Sequence, residues 1–134
     1  MGMDNNDELF SLSGRIRSIG HAVDGVIEML KGQHNSWVHI AITLAVIALA
    51  FLFRVTAVQW CVLIIAITLV WVVEALNTAF ESLCDVVSPE FHPLVRKSKD
   101  IAAGAVLISA IGAITLGLIV FIPHAWGVMA YMPP

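Results

Sequence analysis

A chain of 134 residues with 59% hydrophobic and only 13% charged residues lies outside the composition of soluble globular domains and reads as a single membrane domain covering 1–134. Its net charge of −3 leaves no basic surface of the size nucleic acid requires. Cys61 and Cys84 fall within one expected helix, about 35 Å apart, which excludes a disulfide framework.

The N-terminus, "MGMDNNDELF", lacks the basic start and apolar core of a signal peptide, and Asn6 departs from the myristoylation pattern. From Leu9 onward, Leu12, Ile16, Ile19, Val23, Val26 and Leu30 recur at steps of three and four. Arg15, Arg17, Asp24, Glu28 and Lys31 occupy other faces. This pattern predicts an amphipathic helix over 9–31, lying on the cytoplasmic leaflet or packed against the spans.

Three apolar runs follow: "VHIAITLAVIALAFLF", "AVQWCVLIIAITLVWVV" and "IAAGAVLISAIGAITLGLIVFI". Each reaches the ~20-residue length of a spanning helix once its flanks are counted, so transmembrane helices are expected over 36–53, 57–87 and 100–122. The fold class is therefore all-α integral membrane, with a surface helix and three spans. Arg15, Arg17 and Lys31 precede the first span and Arg96, Lys97 and Lys99 the third, against Arg54 alone between the first two. Because Lys and Arg are retained on the cytoplasmic side of short loops, the N-terminus is expected inside. Trp37, Trp60 and Trp126 fall near span ends, as interfacial aromatics do.

The second helix should outrun the bilayer, since 57–87 is about 46 Å of helix against a hydrocarbon core of ~30 Å. At its inner end, "EALNTAFESLCD" sets Glu74, Asn77, Glu81 and Asp85 within an arc of roughly 80°. Carboxylates at this depth are costly and mark function more often than not. A salt bridge to Lys99 or Arg96 from the next helix is the structural explanation to be weighed against it. Hard oxygen ligands beside "RKSKD" suit Mg²⁺ and phosphates, and no "GxxxxGK[ST]" loop is present. On the third span Ala105, Ser109, Ala113 and Gly117 repeat every four residues, a face for close helix packing that, with only three spans, points to oligomerisation.

"EALNTAFESLCD" followed by "FHPLVRKSKDIAAGAVLI" closely resembles the small prokaryotic diacylglycerol kinase family, which includes undecaprenol kinases. The resemblance covers roughly 13–121 and rests on the pairing of E-x-x-N-x-x-x-E with K-D-x-x-x-x-A-V. It implies a homotrimer of three-span subunits in the plasma membrane of a prokaryote, the cell inner membrane in two-membrane cells. The active site would face the cytoplasm and transfer the γ-phosphate of MgATP to a lipid hydroxyl.

Carried over by residue, Glu74 resembles the catalytic base, Asn77 a residue orienting donors, and Glu81 a Mg²⁺ ligand that also serves the nucleotide. Lys99 would neutralise the transferred phosphoryl group beside Asp100, whose role the resemblance leaves open. His92 is a position where the family often has His, and Arg15 and Arg17 could reach nucleotide phosphates. At Gln33 the chain departs from the family, which carries a second metal-binding glutamate there. A glutamine carbonyl still offers Mg²⁺ an oxygen, without the charge. Glu28, about 140° around the helix, cannot replace it. The five histidines share no metal-ligand spacing.

The expected activity is a lipid kinase acting on undecaprenol, judged from the "HPL" and "AAGAVL" segments, with diacylglycerol as the alternative acceptor. The reading from another class, a non-catalytic scaffold or pore oligomer, leaves the acidic stripe, Lys99 and Asp100 unexplained.

Overall fold

The structure, a computed structural model, describes residues 12–32 and 34–130. These form four helices: α1 (Leu12–Gly32), α2 (His34–Leu52), α3 (Ala57–Val87) and α4 (Pro93–Ala130). The last three are each long and apolar enough to cross a membrane. Helix α1 belongs to one compact unit and α2–α4 to another, and each is taken by itself.

In α1 the apolar face read from the sequence is bare: Ile16, Ile19, Val23 and Val26 are exposed, and only Met29 is buried. A helix that leaves such a face uncovered within its own unit is suited to meet lipid or protein through it.

Helix α2 turns into α3 through a tight C-terminal motif. The Val55 N–H donates to the Ala50 carbonyl (3.1 Å) and the Arg54 N–H to the Phe51 carbonyl (3.2 Å), the paired bonds that close a helix end. Arg54 takes φ 51°, a left-handed conformation that costs a residue with a Cβ about 1–2 kcal/mol. The apolar contact that accompanies this motif is present, because Val55 and Ala50 are buried together with Leu63 and Val120. Thr56 then caps α3: its hydroxyl accepts from the Gln59 N–H (3.4 Å) while the Gln59 side chain accepts from the Thr56 N–H (2.8 Å), satisfying donors that a helix start would otherwise orphan. The core therefore knots the α2–α3 hairpin to the far part of α4, with Phe51 edge-on to Trp60 and Phe53 against Phe121.

Helix α4 is longer than the third apolar run. It begins at Pro93, seven residues before Asp100, and continues through Pro123. His92 explains the early start: its ring nitrogen Nδ1 accepts from the Leu94 N–H (3.3 Å) and its carbonyl from the Arg96 N–H (3.1 Å). Proline at the first helical position loses nothing by lacking an N–H. "PLVRKSK" is thus a helical extension that carries its basic residues in fixed register with the span.

Helices α3 and α4 make the close backbone packing of the unit. The small-residue face of α4 contributes to the interior of the subunit: Ser109 is buried, while Ala113 and Gly117 line an apolar cleft among α2, α3 and α4. Only Ala105 of that set is exposed. The sequence pattern suggested close packing without naming the partner, and three of its four positions face the chain's own helices.

That cleft, of about 260 Å³, runs from His39, Thr43 and Trp71 at one end to Leu49 and Phe121 at the other. The outer surfaces of the spans, including Ile64, Ile65, Leu69, Ile108 and Ile119, are exposed, as lipid-facing residues are. Cys61 and Cys84 both lie on α3 and are unpaired.

Candidate active site

The acidic stripe of α3 separates into three levels. Glu74 is the innermost and is buried, with 2% of its surface exposed. An isolated carboxylate in that position would be expensive, and α2 supplies its partners. Asn35 Nδ2 donates to both carboxylate oxygens, at 3.4 and 3.5 Å, and His39 Nε2 lies 3.7 Å from Oε2. Asn35 Nδ2 is also 3.2 Å from His39 Nε2. The His39 ring stands edge-on to Trp71, at 6.0 Å between centroids, and the Trp71 indole N–H donates to the Thr43 hydroxyl at 3.1 Å. Asn35, His39 and Thr43 are spaced four apart, so one face of α2 meets Trp71 and Glu74, three apart on α3.

One turn further out, Asn77 Nδ2 donates to Glu81 Oε1 at 3.3 Å. Asn77 Oδ1 and the Thr78 hydroxyl are buried and accept no hydrogen bond, an arrangement that leaves oxygen lone pairs beside Glu81 without a protein donor.

The outermost level is open. Asp85 is 71% exposed and accepts a 2.7 Å bond from Lys99 Nζ. The salt bridge weighed against a functional stripe thus exists at its last member, while Glu74 and Glu81 find other partners. A polar cleft of about 430 Å³ lies here, lined among others by Asp85, His92, Arg96, Lys99 and Asp100. The structure therefore gathers three of the expected site residues, His92, Lys99 and Asp100, at one cleft. Arg17 is exposed on α1, and Gln33 lies outside the described residues.

Among the described residues no three His, Cys, Asp or Glu side chains converge as a metal cage. Mg²⁺ does not need one, because it keeps several waters and takes one or two carboxylates together with substrate phosphates. The Glu81 carboxylate, held by the Asn77 amide nitrogen, and the unsatisfied oxygen of the same amide are hard-oxygen donors of the type Mg²⁺ takes, so the residue types present fit the ion.

Asn35 and His39 are the site residues that sequence reasoning passed over. Their signal was a polar stripe, Asn35, His39 and Thr43, at helical spacing on an otherwise apolar span. Metal-ligand spacing, which His39 does not satisfy, gives no sign of this contact.

Comparison with known proteins bears on the same chemistry. The family model for prokaryotic diacylglycerol kinase matches residues 20–121. The chain is 33% identical over 121 residues to undecaprenol kinase from Bacillus subtilis (strain 168), covering 90% of this chain and 98% of that protein. It is 37% identical over 113 residues to a diacylglycerol kinase from Synechocystis, covering 84% of this chain and 65% of that protein. It is 33% identical over 102 residues to diacylglycerol kinase from Escherichia coli (strain K12), covering 70% of this chain and 83% of that protein. Three spans, a buried carboxylate on the second and a family match over most of the length lead to one conclusion: the chain belongs to the prokaryotic diacylglycerol kinase family of membrane lipid kinases.

Proposed function

We propose that this lipid kinase transfers the γ-phosphate of ATP to undecaprenol at the cytoplasmic face of the plasma membrane, working as a homotrimer with its N-terminus inside. The observation that carries the site assignment is the burial of Glu74 against Asn35 and His39, the latter lining an apolar cleft. The preference for undecaprenol rests on the match to the Bacillus subtilis enzyme over nearly the whole of both chains. The stronger identity to a diacylglycerol kinase makes diacylglycerol the second reading. Family membership removes the non-catalytic scaffold and the pore oligomer from consideration.

Phosphoryl transfer asks mainly for positioning and for charge stabilisation. Glu74 accepts the proton of the lipid hydroxyl as its oxygen attacks phosphorus, the task of a carboxylate held in place beside the acceptor. The hydrocarbon chain of the acceptor lies along the apolar cleft, whose polar end is formed by His39, Thr43 and Trp71. Asn77 and Glu81 would hold Mg²⁺ with their oxygens, with Gln33 as the further ligand suggested by the family pattern. When bound, Mg²⁺ would neutralise charge on the nucleotide phosphates. Lys99, Asp100 and His92 line the polar cleft where the nucleotide would bind, and the family resemblance adds Arg17 as a further cation for the phosphates.

Incubating the purified protein with labelled ATP, Mg²⁺ and a panel of undecaprenol, farnesol and diacylglycerol tests this reading. Label in the polyprenols ahead of diacylglycerol is expected. Label confined to phosphatidic acid would move the acceptor to the second reading.

A further inference from the structure

We propose that His39 carries away the proton that Glu74 takes from the lipid hydroxyl, a role that rests on the reading of Glu74 as the base. A base at 2% exposure has no water of its own to discharge into, so each turnover leaves it neutral until another group relieves it. The nearest titratable group is His39, whose Nε2 is 3.7 Å from Glu74 Oε2. Its side chain is 11% exposed against 2% for Glu74, which makes it the intermediate step toward solvent.

The amide of Asn35 ties the two side chains together. Its Nδ2 lies 3.4 Å from Glu74 Oε1 and 3.2 Å from His39 Nε2, which holds the ring nitrogen beside the carboxylate. The groups that face His39 are Asn35 and Thr43 on its own helix, Trp71 and Glu74 on α3, and the apolar Ala110 and Ala113 of α4 around the shared cleft. Glu74 is the one titratable group among them.

The step balances with one proton. The lipid O–H gives its proton to a Glu74 oxygen while the lipid oxygen bonds to phosphorus and the bond from phosphorus to the ADP oxygen breaks. Glu74 then passes that proton to Nε2, the ring becomes imidazolium, and release of one ring proton to water restores the neutral imidazole. Separations of this kind close to hydrogen-bond length as a catalytic complex forms. No electrons are exchanged and no further reactant is needed.

The test compares the parent, His39→Gln, His39→Ala and Glu74→Gln, purified in lipid vesicles, for kcat, for KM toward lipid and ATP, and for the pH profile of kcat. His39→Gln keeps a hydrogen-bonding side chain of similar reach but cannot take up a proton. Its kcat is expected to fall on the order of 10- to 100-fold with both KM values little changed, and its pH profile to differ in shape from that of the parent. Added imidazole should restore part of the kcat of His39→Ala and none of that of Glu74→Gln. Parental kcat and pH profile in His39→Gln, with Glu74→Gln inactive, would overturn the relay while leaving the base in place. A loss in His39→Ala that imidazole does not repair, accompanied by a raised KM, would reduce His39 to a packing role. Activity in Glu74→Gln would instead remove the base, and failure of the parent to phosphorylate any lipid would remove the kinase reading with it.

Discussion

Glu74 and Asp85 are carboxylates on the same face of the same helix, three turns apart, and they live by different physics. Glu74 is held between two helices by an amide and an imidazole. Asp85 stands in the open and holds Lys99 at 2.7 Å. An exposed ion pair is worth about 0–1 kcal/mol because water already solvates both partners, whereas a buried carboxylate depends on each of its few hydrogen bonds. The comparison teaches that one face of one helix sets its carboxylates in opposite surroundings, buried at Glu74 and open at Asp85. Glu81 stands between them and accepts from the Asn77 amide nitrogen, while the oxygen of that amide is unsatisfied.

Mutations at the two ends should separate accordingly. Asn35→Ala removes the donor shared by the Glu74 carboxylate and His39, and an unpaired buried polar group costs about 1–3 kcal/mol. We expect kcat for lipid phosphorylation to fall on the order of tenfold or more, with ATP binding by equilibrium dialysis unaltered. Unchanged turnover would erase the contrast between the buried and exposed carboxylates.

Glu81→Gln keeps the size and helix propensity of the residue but removes a charged oxygen ligand. The Mg²⁺ concentration for half-maximal rate should rise several-fold, roughly. A titration that overlays the parent would move the metal away from Glu81 and Asn77.

Gly117→Leu tests the apolar side of the buried end. A Cβ built at Gly117 meets nothing within 4 Å, so the added side chain enters the cleft without displacing backbone. The KM for a long polyprenol should rise about threefold or more while that for ATP holds, since each buried methylene of the acceptor is worth about 0.8 kcal/mol. A matching rise for both substrates would mean that the cleft does not hold the lipid.

The smallest effect is expected at the exposed end. Asp85→Asn breaks the pair with Lys99, and thermal unfolding in detergent should be little changed, because water already solvates both partners. A large loss would show that the outer pair is structural and that the two ends are less different than their exposure indicates.

Much of this was readable from the sequence. Helical periodicity and length identify an all-α membrane protein with three spans, and the 3.6-residue repeat alone places Glu74, Asn77, Glu81 and Asp85 on one face. What was not readable depends on which helix meets which. Asn35 and His39 become the partners of Glu74 only when α2 is laid against α3, and nothing local to "HNSWVHI" announces that. The small-residue face of α4 was legible as a packing face, but its partner is the subunit's own interior at Ser109, Ala113 and Gly117. The early start of α4 follows from His92 acting as a cap before Pro93, whereas hydropathy alone marks the helix only where its apolar run begins. Gln33, where the chain departs from its family, lies outside the described residues.

The central claim is that Glu74 is the group that receives the lipid proton. Its most direct test is a single turnover of Glu74→Gln, preloaded with labelled ATP and Mg²⁺ and mixed with undecaprenol in vesicles, beside the parent treated identically. The account predicts ATP bound to the same extent in both, a burst of undecaprenyl phosphate in the parent, and a rate lower by about 100-fold or more in the variant. A burst of equal rate in Glu74→Gln would contradict it.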